Sequence, residues 1–283
     1  MMKPLSFLRN ICFLFLLFSS FIFSNANAQG NLLILPRRVV FDDAKRTQEL
    51  NLANTGKDTA RYVISVIQYR MKEDGNFEAI DKPDSGQYFA DKNFRFFPRS
   101  VVLAPNEAQV VKLQLINTTQ LKPGEYRSHL YFRAVPNETP LGEKDTTGKS
   151  SNTISIKLVA VFGIAIPIII RNGTSTTTVH LSDMSLKFTE NDLPVLAMKI
   201  NRAGNMSVYG DIKVNYISPR GTSTQVGLVN GLSVYTPNAF RRFQLKLDTK
   251  EAINYHAGKL QIEYIAQTDG KPVKFAEGEL VLN

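Results

Sequence analysis

The stretch at residues 155–171, SIKLVAVFGIAIPIIIR, contains thirteen consecutive residues, 158 to 170, without a polar side chain. Three settings accept such a run: a membrane helix, a buried core strand, or a strand that also touches a second molecule. A membrane helix needs about 20 apolar residues. This run stops at Lys157 and Arg171 and carries Gly163 and Pro167 inside it. Its Ile and Val side chains lose rotamer freedom in a helix and suit a pleated strand. The stretch is therefore read as one long strand ending near Pro167, whose missing N–H interrupts a ladder.

The sequence around it is strand-like almost everywhere. NLLILPRRVVF is a strand broken by Pro36, and TQELNLANTG, ARYVISVIQYRM and GEYRSHLYFRAV alternate apolar and polar residues. Asp74-Gly75 in KEDGNF is a hairpin signal, and RSVVLAPNEAQVVKLQLIN reads as two strands around Pro105-Asn106. Seven strands are counted up to Ile170, the number expected of an immunoglobulin-like sandwich. After the polar turn Arg171-Asn172-Gly173 the pattern restarts in LPVLAMKINRAGN, VYGDIKVNYIS, TQVGLVNGLSVY, RRFQLKLD, GKLQIEYIAQTDG and KPVKFAEGELVLN. No segment sustains a helical period. The expected fold is all-β: two tandem immunoglobulin-like β-sandwich domains, at residues 29–170 and 171–283.

Residues 1–28 read as a signal peptide. Lys3 and Arg9 precede the apolar core ICFLFLLFSSFIF, and Ala26-Asn27-Ala28 has the small-x-small pattern of a cleavage site. This predicts export to the periplasm without stable membrane insertion. The single cysteine, Cys12, lies in that leader, so the mature chain has no disulfide, thiol nucleophile or zinc–cysteine site. A secreted chain of this size without disulfides suits a bacterial envelope. Cleavage leaves 255 residues and lowers the formal net charge from +9 to +7. The cations are scattered, with no aromatic-interleaved basic patch, which argues against nucleic acid. His129, His180 and His256 are far apart and lack metal spacing. No nucleophile elbow or phosphate loop is present, so the chain is read as a non-enzyme without cofactor or metal.

The runs PRRVVFDDAKRTQELNLANTG, FFPRSVVLAPNEAQVVKLQL and LKPGEYRSHLYFRAVP, followed by the Ile/Val-rich strand, resemble the PapD-like periplasmic chaperones of the chaperone–usher pilus pathway. The resemblance covers most of residues 30–170; beyond 171 only length and β pattern agree. It implies a boomerang of two immunoglobulin-like domains. Such a chaperone binds pilus or fimbrial subunits, lends each a missing strand, and delivers them to an outer-membrane usher.

Strand donation accounts for apolar residues on both faces of 154–170, since backbone pairing adds the strand while alternate side chains fill the guest's groove. By position in the family's donor motif, Ile156, Leu158 and Ala160 face the subunit, with Ile154 extending the row. On this reading Ile164 belongs to the same guest-facing row, and Val159, Val161, Gly163 and Ala165 face the domain's own core. A central strand buried on both sides also reads as continuously apolar; the upstream resemblance favours donation. An open edge of this kind also permits self-association.

The family further implies a carboxylate anchor of two basic residues in the cleft between domains. The arginine falls on Arg38, before Val39, Val40 and Phe41; a guanidinium offers a carboxylate two parallel hydrogen bonds. The partner lysine is expected a few residues before Pro167, but Ala165 stands there and the strand's only lysine is Lys157. Either the register slips by about two pleats and Lys157 is the second anchor, or that anchor is missing. The competing reading of the whole chain is a structural or adhesive envelope protein of tandem immunoglobulin-like domains.

The leader generates a first test. The mature protein is expected to start at Gln29 and fractionate with soluble periplasmic contents; N-terminal sequencing that finds Met1 retained in membranes overturns the leader reading.

Overall fold

The computed structural model describes residues 32–42, 45–136, 161–249, 253–266 and 272–282. The donor-row residues Ile154, Ile156, Leu158 and Ala160, together with Lys157, lie outside the described residues. Eleven strands precede residue 173: β1 (Leu32–Leu35), β2 (Val39–Phe41), β3 (Thr47–Asn54), β4 (Ala60–Ile67), β5 (Tyr69–Met71), β6 (Phe77–Ala79), β7 (Phe94–Phe97), β8 (Ser100–Leu103), β9 (Ala108–Leu115), β10 (Gly124–Val135) and β11 (Gly163–Asn172). Seven follow: β12 (Thr178–Phe188), β13 (Pro194–Ala203), β14 (Val208–Ile217), β15 (Ser223–Val234), β16 (Phe240–Lys246), β17 (Gly258–Ala266) and β18 (Val273–Leu282). Among the described residues there is no helix.

The first domain pairs a sheet ordered β1-β3-β9-β7 with one ordered β2-β11-β10-β4-β8. The chain changes sheets between β1 and β2, across Pro36–Arg38, because a proline cannot donate to either ladder. β2 then runs parallel to β11, with Val39, Val40 and Phe41 opposite Ile168, Ile169 and Ile170. Leu50, Leu52, Leu103, Val111, Leu130, Phe132 and Phe41 fill the space between the sheets. Tyr126, near the start of β10, accepts a hydrogen bond at its hydroxyl from the Lys122 N–H at 2.9 Å, a tyrosine corner that fixes the loop entering that strand. The hairpin signal at Asp74-Gly75 becomes the β5–β6 turn, where Gly75 has φ +89°. The second domain packs a sheet ordered β12-β13-β16 on one ordered β15-β14-β17-β18, around its own core of Leu196, Ile200, Ile212, Val214, Leu260 and Ile262.

Two expectations need correction. β11 does not end near Pro167 but runs through it to Asn172. The Ala134 N–H donates to the Phe162 carbonyl, and counting from there by pairs puts Pro167, opposite His129, at a position whose nitrogen points away from β10. The proline therefore interrupts nothing on that side. It faces the strand's other edge, where β2 joins only from Ile168.

The assignment of faces also changes at the described end of β11. Ile164, Ile166, Ile168 and Ile170 point into the first core, whereas Val161 is 45% exposed. Four bulky isoleucines at period two outweigh Gly163 and Ala165 on the other row. Phe162 shares the isoleucine parity but is 51% exposed, so the domain's own core ends just below it.

The alternating strand GEYRSHLYFRAV is covered on both faces over its first seven residues. Residues 124–130 are buried without a break, and the polar row lies against the second domain.

Ile168 and Val161 give a clean contrast. Ile168→Ala removes methyl groups from a fully buried site and is expected to cost about 2–5 kcal/mol. Val161→Asp, on the exposed row, is expected to leave urea unfolding of the isolated protein nearly unchanged.

Candidate functional site

Side chains of Arg38, Val40, Pro167, Ile169, Glu125, Arg127 and His129 share one face of the β2-β11-β10 part of the sheet, because laterally paired residues point the same way. This face meets the second domain. Met71, Ile169 and Tyr235 form an apolar plug there, with Val40 packed against it.

Around the plug the two domains are joined by polar contacts. The buried Glu125 carboxylate accepts a short hydrogen bond from the Ser207 hydroxyl, one from the Ser207 N–H at 3.0 Å, and one from Arg171 Nε at 3.3 Å. Arg171 Nη2 also donates to the Ser207 carbonyl at 2.8 Å, and the Thr236 N–H donates to the Ser207 hydroxyl at 2.9 Å. The β5–β6 hairpin reaches across as well: Asn238 Nδ2 donates to the Met71 carbonyl at 2.9 Å, and the Arg242 N–H to the Glu73 carbonyl at 2.6 Å. Such a joint resists hinge motion, because opening it strands a buried carboxylate.

Arg38, the sequence-predicted anchor, sits in this cleft one residue before β2. It is half-buried, with its guanidinium carbon 4.5 Å from the centroid of the Tyr209 ring. Its Nε and Nη2 are buried without a hydrogen-bond partner. Arg127, which the sequence reading passed over, is 2% exposed. Its guanidinium carbon lies 4.2 Å from the Tyr235 ring centroid, and Nη2 donates to the Thr236 carbonyl at 3.3 Å. Its Nε and Nη1 also lack partners. Burial lowers the pKa of both arginines, and the Arg38 charge further lowers that of Arg127. A buried charged donor left unsatisfied costs more than the 1–3 kcal/mol of a neutral one. Four N–H-bearing nitrogens on the two guanidiniums are therefore buried without partners, while Glu125, whose charge acts on both, is occupied by Ser207 and Arg171.

Ala165, where the sequence reading expected a lysine, lies on the same face two residues before Pro167. Along β11 from Gly163 to Pro167, β10 pairs one edge, and among the described residues no strand pairs the other. Among the described residues, no group of His, Cys, Asp and Glu is arranged to hold a metal ion.

No family model and no curated protein matches this chain. Among solved structures it is similar to the YadV chaperone, with 12% identity, TM-score 0.44, and 89% of this chain covering 100% of that one. It is also similar to the class 5 fimbriae chaperone CfaA, at 12% identity and TM-score 0.43, covering 89% of this chain and 99% of that chain. For the CupB2 chaperone of Pseudomonas aeruginosa the figures are 16% and 0.41, with 89% of this chain and 100% of that chain covered.

His129 completes the cleft face. Its ring stands edge-on to Tyr69 and Phe77, its Nδ1 is buried without a partner, and burial, followed by the Arg127 charge, pushes its pKa down to about 3. The unfolded chain takes up a proton near pH 6.5 that the folded one refuses. The stability is therefore intact above that value and falls as pH drops toward 3. Between pH 7 and 5 this single group is expected to cost about 2 kcal/mol. His129→Phe, which keeps the edge-on packing, is expected to remove that share of the pH dependence of urea unfolding.

Proposed function

We propose that this protein is a divergent PapD-like periplasmic chaperone that binds pilus or fimbrial subunits by donating a strand and passes them to an outer-membrane usher. The observation that carries the reading is the place where the free edge of β11 ends. β2 occupies that edge from Ile168 onward, and Arg38 stands immediately before β2. A guest strand paired along β11 runs out of edge at that guanidinium. A guest strand that runs parallel to β11 brings its C-terminal carboxylate to Arg38, where Nε and Nη2 are without partners. The anchor then fixes the register of the added strand.

The donor row follows from the same geometry. The isoleucines at 164, 166, 168 and 170 fill the chaperone's own core, and Phe162 passes beyond its end. Upstream at the same sequence parity stand Ala160, Leu158, Ile156 and Ile154, outside the described residues, which we read as the guest-facing row. A guest sandwich lacking one strand supplies the core for that row. One face thus serves two cores in succession, in place of one face for each.

Co-expression with a fimbrial subunit tests both halves. Arg38→Ala is expected to stay folded and recover roughly tenfold less subunit or lower, the loss of a charge-assisted hydrogen bond. Leu158→Asp places a carboxylate in the apolar groove and is expected to abolish co-purification, with little change in thermal unfolding of the free protein. Wild-type recovery with both variants overturns the reading.

A further inference from the structure

We propose that the β5–β6 hairpin is an acid-released clasp on one side of the joint between the domains: when His129 takes up a proton, the hairpin lifts from the cleft face and from the second domain, while the contacts of Glu125 stay closed. This rests on the geometry of the joint and is independent of the chaperone reading.

The hairpin is held by few bonds. Its own ladder has only the pairs Tyr69 with Ala79, Arg70 with Glu78 and Met71 with Phe77. At its base the Ile80 N–H donates to the Gln68 carbonyl at 3.0 Å, and Gln87 Nε2 to the Tyr69 carbonyl at 2.9 Å. Across the joint it is fixed by Asn238 on the Met71 carbonyl and by the Arg242 N–H on the Glu73 carbonyl. The turn also lies directly on a side chain of the second domain, since a Cβ at Gly75 would collide with the Arg241 guanidinium. The outer ion pair of Glu73 with Arg242 is exposed and contributes little. A segment tied down this sparsely opens locally, at a fraction of the free energy of global unfolding.

What the hairpin covers decides what releases it. Tyr69 and Phe77 stand over the His129 ring with centroids 5.0 and 5.9 Å away, and Phe77 meets Tyr235 of the second domain at 6.0 Å. Beside His129 on the sheet are Ile67 of β4 and Pro167 of β11, neither of them titratable. On β10 the same face carries Arg127 and Tyr131, β5 adds Tyr69, and the second domain adds Tyr235. None of these is an acid. Of the described acids on the surrounding elements, Glu125 is engaged by Ser207 and Arg171, Glu78 and Asp84 pair with Arg70, and Glu73 pairs with Arg242. An imidazolium under the closed hairpin would therefore be buried without an anion and next to a guanidinium, which is strongly unfavourable. Lifting the hairpin lets water reach the ring.

The sign follows from the two states. With the hairpin closed, burial and then the Arg127 charge hold the ring's pKa down at about 3. With it open, the ring titrates near the ordinary 6.5 of a solvated histidine. The open form therefore binds the proton more readily, and its share relative to the closed form rises about 25-fold between pH 7 and pH 5. Glu125 lies roughly 13 Å along β10 from His129, and its donors, Ser207 and Arg171, include no histidine. That end of the joint stays shut and becomes the hinge.

The test is amide hydrogen exchange of the free protein, read residue by residue by NMR and corrected for the intrinsic effect of pH. The Arg242 N–H reports on the clasp, because it donates to Glu73 of the hairpin. The Ser207 N–H reports on the Glu125 end, and Ile262 in β17 on the core. Arg242 is expected to be less protected than Ile262 at pH 7, and to exchange with little dependence on added urea, the mark of a small opening. Between pH 7 and pH 5 its protection is expected to fall about 25-fold, with Ser207 remaining the better protected of the two joint amides. His129→Phe is expected to abolish that fall. If His129→Phe does not fold, the wild-type comparison of Arg242, Ser207 and Ile262 decides. The proposal is overturned by an Arg242 amide that keeps its protection at pH 5, that exchanges in step with Ser207 or Ile262, or whose fall persists in His129→Phe.

Discussion

The structure depends on the burial of one polar sheet face between two β-sandwiches. Glu125, Arg127 and His129 on β10 lie where a single domain would meet water. The second domain covers them and answers only some of their hydrogen-bonding groups. Glu125 is fully engaged by Ser207 and Arg171. That contact sets how the domains meet, since a buried carboxylate without its donors is strongly unfavourable. Arg127 and Arg38 lie on the same face, each with two buried nitrogens that the contact leaves without partners. The joint and the candidate site are two parts of one face.

Much of the fold was legible in the sequence because hydrophobic period two survives in most strands. The turn at Asp74-Gly75, the break at Pro36 and the boundaries of GEYRSHLYFRAV all reappear. The character of β10 did not, for a physical reason: alternation reports which side chains are polar, not whether the polar side meets water or a second domain. Arg127 and His129 were unreadable as cleft residues for that reason. A hint was present in their composition, since two basic residues and an acid on one strand face, without alternating lysines, is unusual for a solvated face. Arg38 was found only through a family resemblance, and its crossing between sheets explains why an arginine there reaches the cleft.

The proline in the opening stretch illustrates the same limit from the other side. Read alone, Pro167 ends a strand. Its nitrogen points to the edge that β10 does not use, so the strand continues. The sequence cannot say which edge a proline faces, because that depends on the register with neighbours. Once the register is known, Pro167 acquires a role in the argument: it removes a donor from the unpaired edge just above Arg38. An edge with fewer free donors is a poorer template for unplanned pairing, at the point where β2 joins β11.

The choice of tyrosines beside the two arginines carries the last step. A buried arginine is commonly neutralised by an acid, and a carboxylate at either position would have stabilised the free protein. Here Tyr209 and Tyr235 lie against the guanidinium planes instead. A ring face attracts the cation by about 0.5–2 kcal/mol without occupying a single N–H. The charge is thus partly supported while its directional donors stay available. An acid in the same place would occupy those donors. Neutral aromatic support thus holds each cation in place while two of its nitrogens remain without a protein acceptor.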